Sequence, residues 1–330
     1  SIFTYTNMLH PDIYCGGRFI ESQLIKIGLD LFHGKADSCG VTTSGGTFSI
    51  LTAMYCYKKR GESLGIEHPN ILIPQTAHAA FYKAGDMFGI KVIKIPVDKN
   101  YQVDLNKVKR AINKDTIVIV GSCPNFPHCI ADNIEGLSKI AVSYKVPLHV
   151  DCCLGGFLVA FYEKARIQFP KFDFRLPGVT SISADLHKYG LCPKGISLLM
   201  FANHELRRFN YFIYQKFPGG MYCTPSFDGS RTGALIAAAY AVLITQGKNF
   251  YMNIAKTIHQ CTMKVRKVIE EELDLLTVIG QPSICGVAFI GEKLDFIFDE
   301  MSRRGWHMNF LVEPRGLNFI FTYANRYIIA

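Results

Sequence analysis

The sequence predicts an α/β protein built on a mainly parallel sheet, and three observations carry that expectation. Short apolar runs alternate with single amphipathic helices between residues 70 and 150, the pattern of parallel strands joined by helical crossovers on both faces. Asp151 and Lys188 each follow closely on such a run, at the carboxyl ends of strands where open α/β sheets bind ligands. With 330 residues, 49% apolar and 19% charged, the chain is long enough to bury a large core and unlike a disordered or fibrous one.

Residues 1–13 are aromatic and polar, without a clear period, and read as an arm. Phe19, Ile20, Leu24, Ile27, Leu31 and Phe32 recur at helical spacing and predict a helix over 18–32. Thr43-Ser-Gly-Gly-Thr47 then leads into a helix over 48–59. A glycine pair opening a helix exposes N–H groups at its positive end, which is what holding a phosphate requires. Strands are expected at 71–74 and 91–95 around a helix over 77–88. A helix over 104–112, a strand at 116–120, a helix over 135–144 and a strand at 148–150 follow. A further strand ends in Ser181-Ile-Ser-Ala-Asp-Leu-His-Lys-Tyr-Gly190. Residues 197–201 read as a strand, 232–245 and 249–273 as helices. Residues 277–290, 293–304 and 317–322 read as the start of a smaller α/β domain. The expected organisation is an N-terminal arm and helix over 1–36, a large domain over 37–247 and a small, incomplete domain over 248–330, divided near Gly247.

The formal net charge of +9 would suit anionic ligands, but the densest basic patch is only Lys58-Lys-Arg60, so no nucleic-acid footprint is expected. Eleven cysteines, an odd number without a Cys-x-x-Cys pair and with Cys152 beside Cys153, favour a reducing compartment over a disulfide framework or a metal site. The richest apolar run, 236–244, falls short of the roughly 20 residues of a membrane span. The chain starts at Ser1 without Met and reads as an excised piece, so an anchor or targeting signal can lie outside it.

Lys188 follows His187 at a strand-to-loop junction among small and polar residues, a setting that keeps an amine partly desolvated and nucleophilic for Schiff-base chemistry. It keeps company with Thr43-Ser-Gly-Gly-Thr47, with His78 in Thr76-Ala-His-Ala-Ala80, with Asp151 ending Pro147-Leu-His-Val-Asp151, and with Gly229-Ser-Arg231. Together with Thr6-Asn-Met-Leu-His-Pro-Asp12, Asp37-Ser-Cys-Gly40, Phe126-Pro-His128, Leu154-Gly-Gly-Phe157 and Pro193-Lys-Gly195, these blocks resemble the pyridoxal-phosphate-dependent group II decarboxylases and, within them, the sphingosine-1-phosphate lyases. The resemblance runs over nearly the whole chain. It implies the aspartate-aminotransferase-like fold of fold type I pyridoxal-phosphate enzymes and a homodimer with active sites at the subunit interface.

The resemblance also implies roles. Lys188 would bond the cofactor, pyridoxal 5'-phosphate, and His187 would touch its phosphate. Asp151 would face the pyridine nitrogen, where a carboxylate keeps the ring an effective electron sink. His78 would stack on the ring; Gly46 and Thr47 would hold the phosphate, with Ser230 reaching it from the partner subunit. Asn7, His10 and Lys194 would bind the phosphate of the substrate. The implied reaction is a carbon–carbon lyase cleavage of a phosphorylated sphingoid base to a long-chain aldehyde and phosphoethanolamine, with Lys188 and a phosphate-assisted route both open as the base for the 3-hydroxyl. An amino-acid decarboxylase and a non-catalytic homologue are the alternatives. The implied location faces the cytosol, and an endoplasmic-reticulum tether outside this chain, or membrane contact through the substrate, is compatible with it. The chain departs from its relatives at Phe48 (commonly Glu), Cys129 (Gly), Cys152 (Ala), Leu186 (Thr) and Thr232 (Pro), and its small domain ends earlier than theirs.

Overall fold

The structure, a computed structural model, describes residues 2–325. Ser1 of the expected arm and residues 326–330 of the expected small domain lie outside the described residues. A short 3-10 turn at Ile2–Tyr5 precedes α1 (Cys15–Leu31), β1 (Cys39–Thr43), α2 (Gly46–Ser63), β2 (Asn70–Pro74), α3 (Ala80–Phe88) and β3 (Lys91–Ile95). Then come α4 (Leu105–Ala111), β4 (Thr116–Ser122), α5 (Ile134–Tyr144), β5 (Leu148–Asp151), α6 (Gly156–Val159), β6 (Val179–Asp185) and β7 (Ser197–Phe201). The chain continues through α7 (His204–Arg207), β8 (Phe212–Tyr214), β9 (Tyr222–Thr224), α8 (Ala234–Glu272), β10 (Leu276–Val278), β11 (Gly286–Gly291), α9 (Leu294–Arg303), β12 (Asn309–Val312) and β13 (Arg315–Ile320).

Seven strands form the principal sheet in the order β1-β7-β6-β5-β4-β2-β3. Strand β7 alone runs against its neighbours β1 and β6; the other pairs are parallel. Every residue of β2, β4, β5 and β7 is buried, which is why these strands read as continuous apolar runs rather than as alternation. The two faces sort by the pleat. Leu198 and Met200 join a core with α1, α5 and α8, whereas Leu199 and Phe201 join a second core with α2 and α3. Gly28 lets α1 close on the first face, since a Cβ there would meet Leu198 Cδ1 at 2.5 Å.

Besides the short helices α6 and α7 and strand β12, which the sequence expectation lacks, several details differ from it. Strand β1 was not foreseen, because Cys39-Gly-Val-Thr-Thr43 is weak in apolar residues; its pairing with β7 supplies the burial. The β8–β9 hairpin was also missed, being three residues per strand with Phe212, Ile213 and Tyr214 exposed. Helix α3 starts at Ala80 rather than Ala77, because the His78 ring turns back to accept the Ala80 N–H at 3.1 Å. Cys129, where relatives commonly carry Gly, sits at φ 55° in the left-handed region that favours glycine.

Helix α8 is interrupted at Gly247, whose φ of 69° and ψ of 172° are not helical. Its second half lies under a four-stranded antiparallel sheet in the order β10-β11-β13-β12. All eleven cysteines are unpaired, and nine are buried. Among the described residues no helix is long and apolar enough to cross a membrane.

Candidate active site

The site is assembled where the principal sheet ends. Strand β1 delivers the chain into Ser44 and Gly45, and α2 starts at Gly46. Gly45 has φ 139°, and a Cβ on Gly46 would come within 2.9 Å of the Asp185 carboxylate oxygens and of Cys153 Sγ. Bare backbone is therefore required at this turn. The first N–H groups of an 18-residue helix, which have no acceptor within the helix, open onto a cavity of about 380 Å³. Gly46, Thr47, His78, His187 and Lys188 all line it, with Asp185 and Cys153. Five of the residues singled out in the sequence thus meet in one place.

Asp151 stands just behind this cavity, at the end of β5. It is 6% exposed, and its Oδ1 accepts the Cys153 N–H at 3.0 Å and the Ser183 hydroxyl at 3.2 Å. The β5–β6 register explains the arrangement, because His149 faces Ser181 and Asp151 faces Ser183. Residues two apart share a face, so His149 and the two serines form a polar ladder leading to Asp151. His149 Nδ1 lies 2.7 Å from Ser181 Oγ, and its Nε2 lies 3.3 Å from Ser183 Oγ. Burial pushes His149 down to about 4, against the opposing pull of Asp151.

A consequence for stability follows from that histidine. Its folded value lies below the ordinary 6.5, so the unfolded chain takes up the proton first as pH falls. The neutral ring's contribution is complete above 6.5 and drains away between 6.5 and about 4. His149 alone makes the protein about 2 kcal/mol less stable at pH 5 than at pH 7. Urea midpoints at the two pH values measure this, and His149→Gln should shrink the difference; an unchanged pH dependence in the variant would exclude His149 as its source.

Lys188 Nζ lies 3.0 Å from Asp185 Oδ2. Burial pushes the Lys188 amine down, but the charge of Asp185, with smaller contributions from Cys153 and Asp151, outweighs it and leaves the ammonium favoured. His187 Nδ1 accepts the Ile196 N–H at 3.3 Å, and its Nε2 sits 3.4 Å from Asp185 Oδ2. Its pKa is lowered by burial, with Lys194 and Lys188 acting the same way and Asp185 opposing them. Lys194 is exposed and donates to the His187 carbonyl at 3.0 Å, which puts its charge at the edge of the same loop.

The remaining predicted residues do not line the cavity. Asn7 Nδ2 donates to Ser230 Oγ at 2.9 Å, across 223 residues of sequence, and Asn7 Oδ1 accepts the Arg231 N–H at 3.3 Å. Arg231 is anchored by a two-pronged ion pair with Glu21 at 2.8 and 2.9 Å, and both side chains bond Thr42 of β1. The arm and the 229–231 loop are therefore one unit within the chain. His10 is exposed just ahead of α1, with its carbonyl capped by the Ile13 and Tyr14 N–H groups. Phe48 lines the cavity and meets Phe227 edge-on at 5.8 Å. Phe227 in turn contacts Tyr55 and Phe88.

Sequence reasoning missed His149, Ser183, Glu21 and the separate importance of Asp185. A His-x-Asp strand beside a Ser-x-Ser strand was the available signal for the first two. Asp185 was visible only as the acid three residues before Lys188.

A glycine-opened helix start, a half-buried lysine and a strand-end aspartate at the carboxyl edge of a mainly parallel sheet are the arrangement of fold type I pyridoxal-phosphate proteins. The comparisons agree. The pyridoxal-dependent decarboxylase conserved domain matches residues 25–290. The sphingosine-1-phosphate lyase of Saccharomyces cerevisiae is 44% identical, covering 99% of this chain and 56% of that protein. The solved structure of a Burkholderia pseudomallei sphingosine-1-phosphate lyase superposes with a TM-score of 0.95 at 37% identity, over 98% of this chain and 76% of that one. A Lactobacillus brevis glutamate decarboxylase shares the fold, with a TM-score of 0.85 at 22% identity, over 99% of this chain and 80% of that one. The chain belongs to the pyridoxal-dependent decarboxylase family, in its sphingosine-1-phosphate lyase branch. It spans little more than half the length of the curated relatives it matches.

Proposed function

We propose that this chain carries the cofactor-binding half of a lyase site that splits a phosphorylated sphingoid base between C2 and C3 to a long-chain aldehyde and phosphoethanolamine. The observation that carries the reading is the shared cavity, in which the Lys188 amine and the glycine-opened start of α2 line one space. These residues fit pyridoxal phosphate: the turn at Gly45 and Gly46 leaves room that a Cβ would fill, and the helix start suits a phosphate. When bound, pyridoxal phosphate supplies an electron sink for the pair released as a bond to the amine-bearing carbon breaks.

The protein's part is to bind, orient and place charge. Gly46 and Thr47 hold the cofactor phosphate, His187 reaches it from the opposite loop, and His78 covers a ring face. Asp151, fixed by Cys153 and Ser183, holds a negative charge at the pyridine nitrogen. Lys188 is the covalent anchor. Lys194, with Asn7 and His10, binds the substrate phosphate, for which a point charge with imidazole and amide donors is suited.

Ser230 does not line the cavity of its own chain, and its hydrogen bond to Asn7 supports delivery of both residues to the site of a partner copy in a homodimer. Gly247, where α8 breaks, is taken as the boundary between the cofactor domain and the small domain. The protein faces the cytosol in this reading, with any membrane tether outside the chain.

The function is tested by incubating the protein with pyridoxal phosphate and sphinganine 1-phosphate and measuring long-chain aldehyde and phosphoethanolamine. Release of carbon dioxide from an amino acid as the dominant reaction would replace the lyase with a decarboxylase. Shared sites are tested by mixing Lys188→Ala chains with Ser230→Tyr chains, since hybrid dimers hold one site free of both lesions; no recovery despite demonstrated exchange counts against them. Lys194→Ala should lower kcat/KM for the phosphorylated base by about ten- to a hundredfold, the loss of one charge-assisted hydrogen bond. The visible band of bound cofactor should stay intact, and an unaltered kcat/KM would remove Lys194 from the substrate site.

A further inference from the structure

Asp185 ends β6 and is 2% exposed. Its Oδ2 takes the Lys188 ammonium at 3.0 Å and lies 3.4 Å from His187 Nε2. Its Oδ1 is buried and accepts no hydrogen bond among the described residues. A buried carboxylate oxygen without a donor is unfavourable, and it suits a group that must receive a proton at another stage. The other groups facing Lys188 are Asp151 and Cys153, from the end of β5 and the turn after it, and its neighbour His187. Burial keeps the Cys153 thiol protonated. Among the described residues, Asp185 supplies the one carboxylate within ion-pair distance of Nζ.

We infer that Asp185 is the proton store for Lys188, holding its amine as an ammonium before the cofactor arrives, accepting a proton as the amine becomes a nucleophile, and returning it to the departing oxygen. The step balances. One proton leaves Nζ for the Asp185 carboxylate, giving a neutral amine and a carboxylic acid. The nitrogen lone pair forms the bond to the aldehyde carbon of pyridoxal phosphate, and a second N–H proton moves to the aldehyde oxygen. The carbon–oxygen bond then breaks, and that oxygen leaves as water with the proton Asp185 gives back. Nitrogen keeps one proton and one positive charge, and Asp185 is again a carboxylate. The inference rests on Lys188 as the anchoring lysine, and the bare Cα of Gly46 leaves the Asp185 carboxylate the room that a Cβ, 2.9 Å from its oxygens, would take.

The test uses apo-protein and two readouts that need no turnover. Competitive acetylation across a pH series reports the midpoint at which Lys188 becomes a free amine, and rapid mixing with pyridoxal 5'-phosphate reports the rate at which the visible band appears. In Asp185→Asn the acetylation midpoint should fall by about one pH unit or more. The band should nonetheless appear about a hundredfold more slowly or worse, with added formate restoring part of the rate. An unmoved midpoint, or a band forming as fast as in the wild type, overturns the inference. If the variant does not fold, the wild-type profile decides, since a Lys188 midpoint below that of the exposed lysines shows that Asp185 does not hold its proton. Borohydride fixation of the cofactor on a different lysine would instead overturn the assignment of Lys188 itself.

Discussion

Lys188→Ala should abolish the visible band of bound cofactor and lower turnover by about 10⁴-fold or more, the scale expected when a covalent anchor that also handles protons is removed. The argument rests on position. Lys188 sits in the cavity beside the α2 start, and Asp185 at 3.0 Å is its ion-pair partner among the described residues. Pyridoxal phosphate should still associate through Gly46, Thr47 and His187, but dialysis should remove it and borohydride should not fix it to the protein. Retention of the band, or fixation on another lysine, would move the anchor elsewhere. Because Asp185 remains behind as a buried carboxylate without its lysine partner, the variant is also expected to be less stable when empty of cofactor.

Asp151→Asn is expected to separate binding from chemistry. The Asn side chain can present its oxygen to the Cys153 N–H and the Ser183 hydroxyl, the two donors that hold Asp151 now, so shape and position survive. What disappears is the negative charge that the proposed site sets beside the pyridine nitrogen, on which the ring's capacity to accept electrons would depend. Cofactor affinity should change little while kcat falls by about a thousandfold, the scale seen when one preorganised electrostatic partner is lost. Undiminished kcat in a correctly folded variant would take Asp151 out of the chemistry.

Much of the principal sheet could be read from the chain because its central strands β2, β4 and β5 are buried on both faces and lie between helices. The strands that escaped notice lack that signature: β1 contains Gly40 and two threonines, β8 and β9 are short and largely exposed, and β12 is four residues long with only Leu311 buried. The site divides along a similar line. Gly46, Thr47, His78, His187 and Lys188 lie in turns that immediately follow strands or open helices, so the local sequence shows them. The support for Asp151 depends on the register between β5 and β6, which shifts between Leu148 and His149, and no local pattern reports such a shift. The Asn7–Ser230 bond joins residues 223 apart. Asp185 was hidden for another reason, since an acid near a lysine describes a solvated surface pair as well as it describes a buried one.

The anchoring of the 229–231 loop bears on how two copies would communicate in the proposed homodimer. Arg231 is held by Glu21 and by Thr42, and Thr42 lies in the strand that runs straight into the chain's own Gly45–Gly46 turn. If Ser230 of one copy completes the site of the other, a ligand that draws Ser230 inward also pulls on the turn that cradles the phosphate at home. Filling one site then alters the affinity of its twin, because the same short span of backbone serves both. A titration of apo-dimer with pyridoxal phosphate should depart from a simple hyperbola, and cutting the link with Arg231→Met should return it to independent binding.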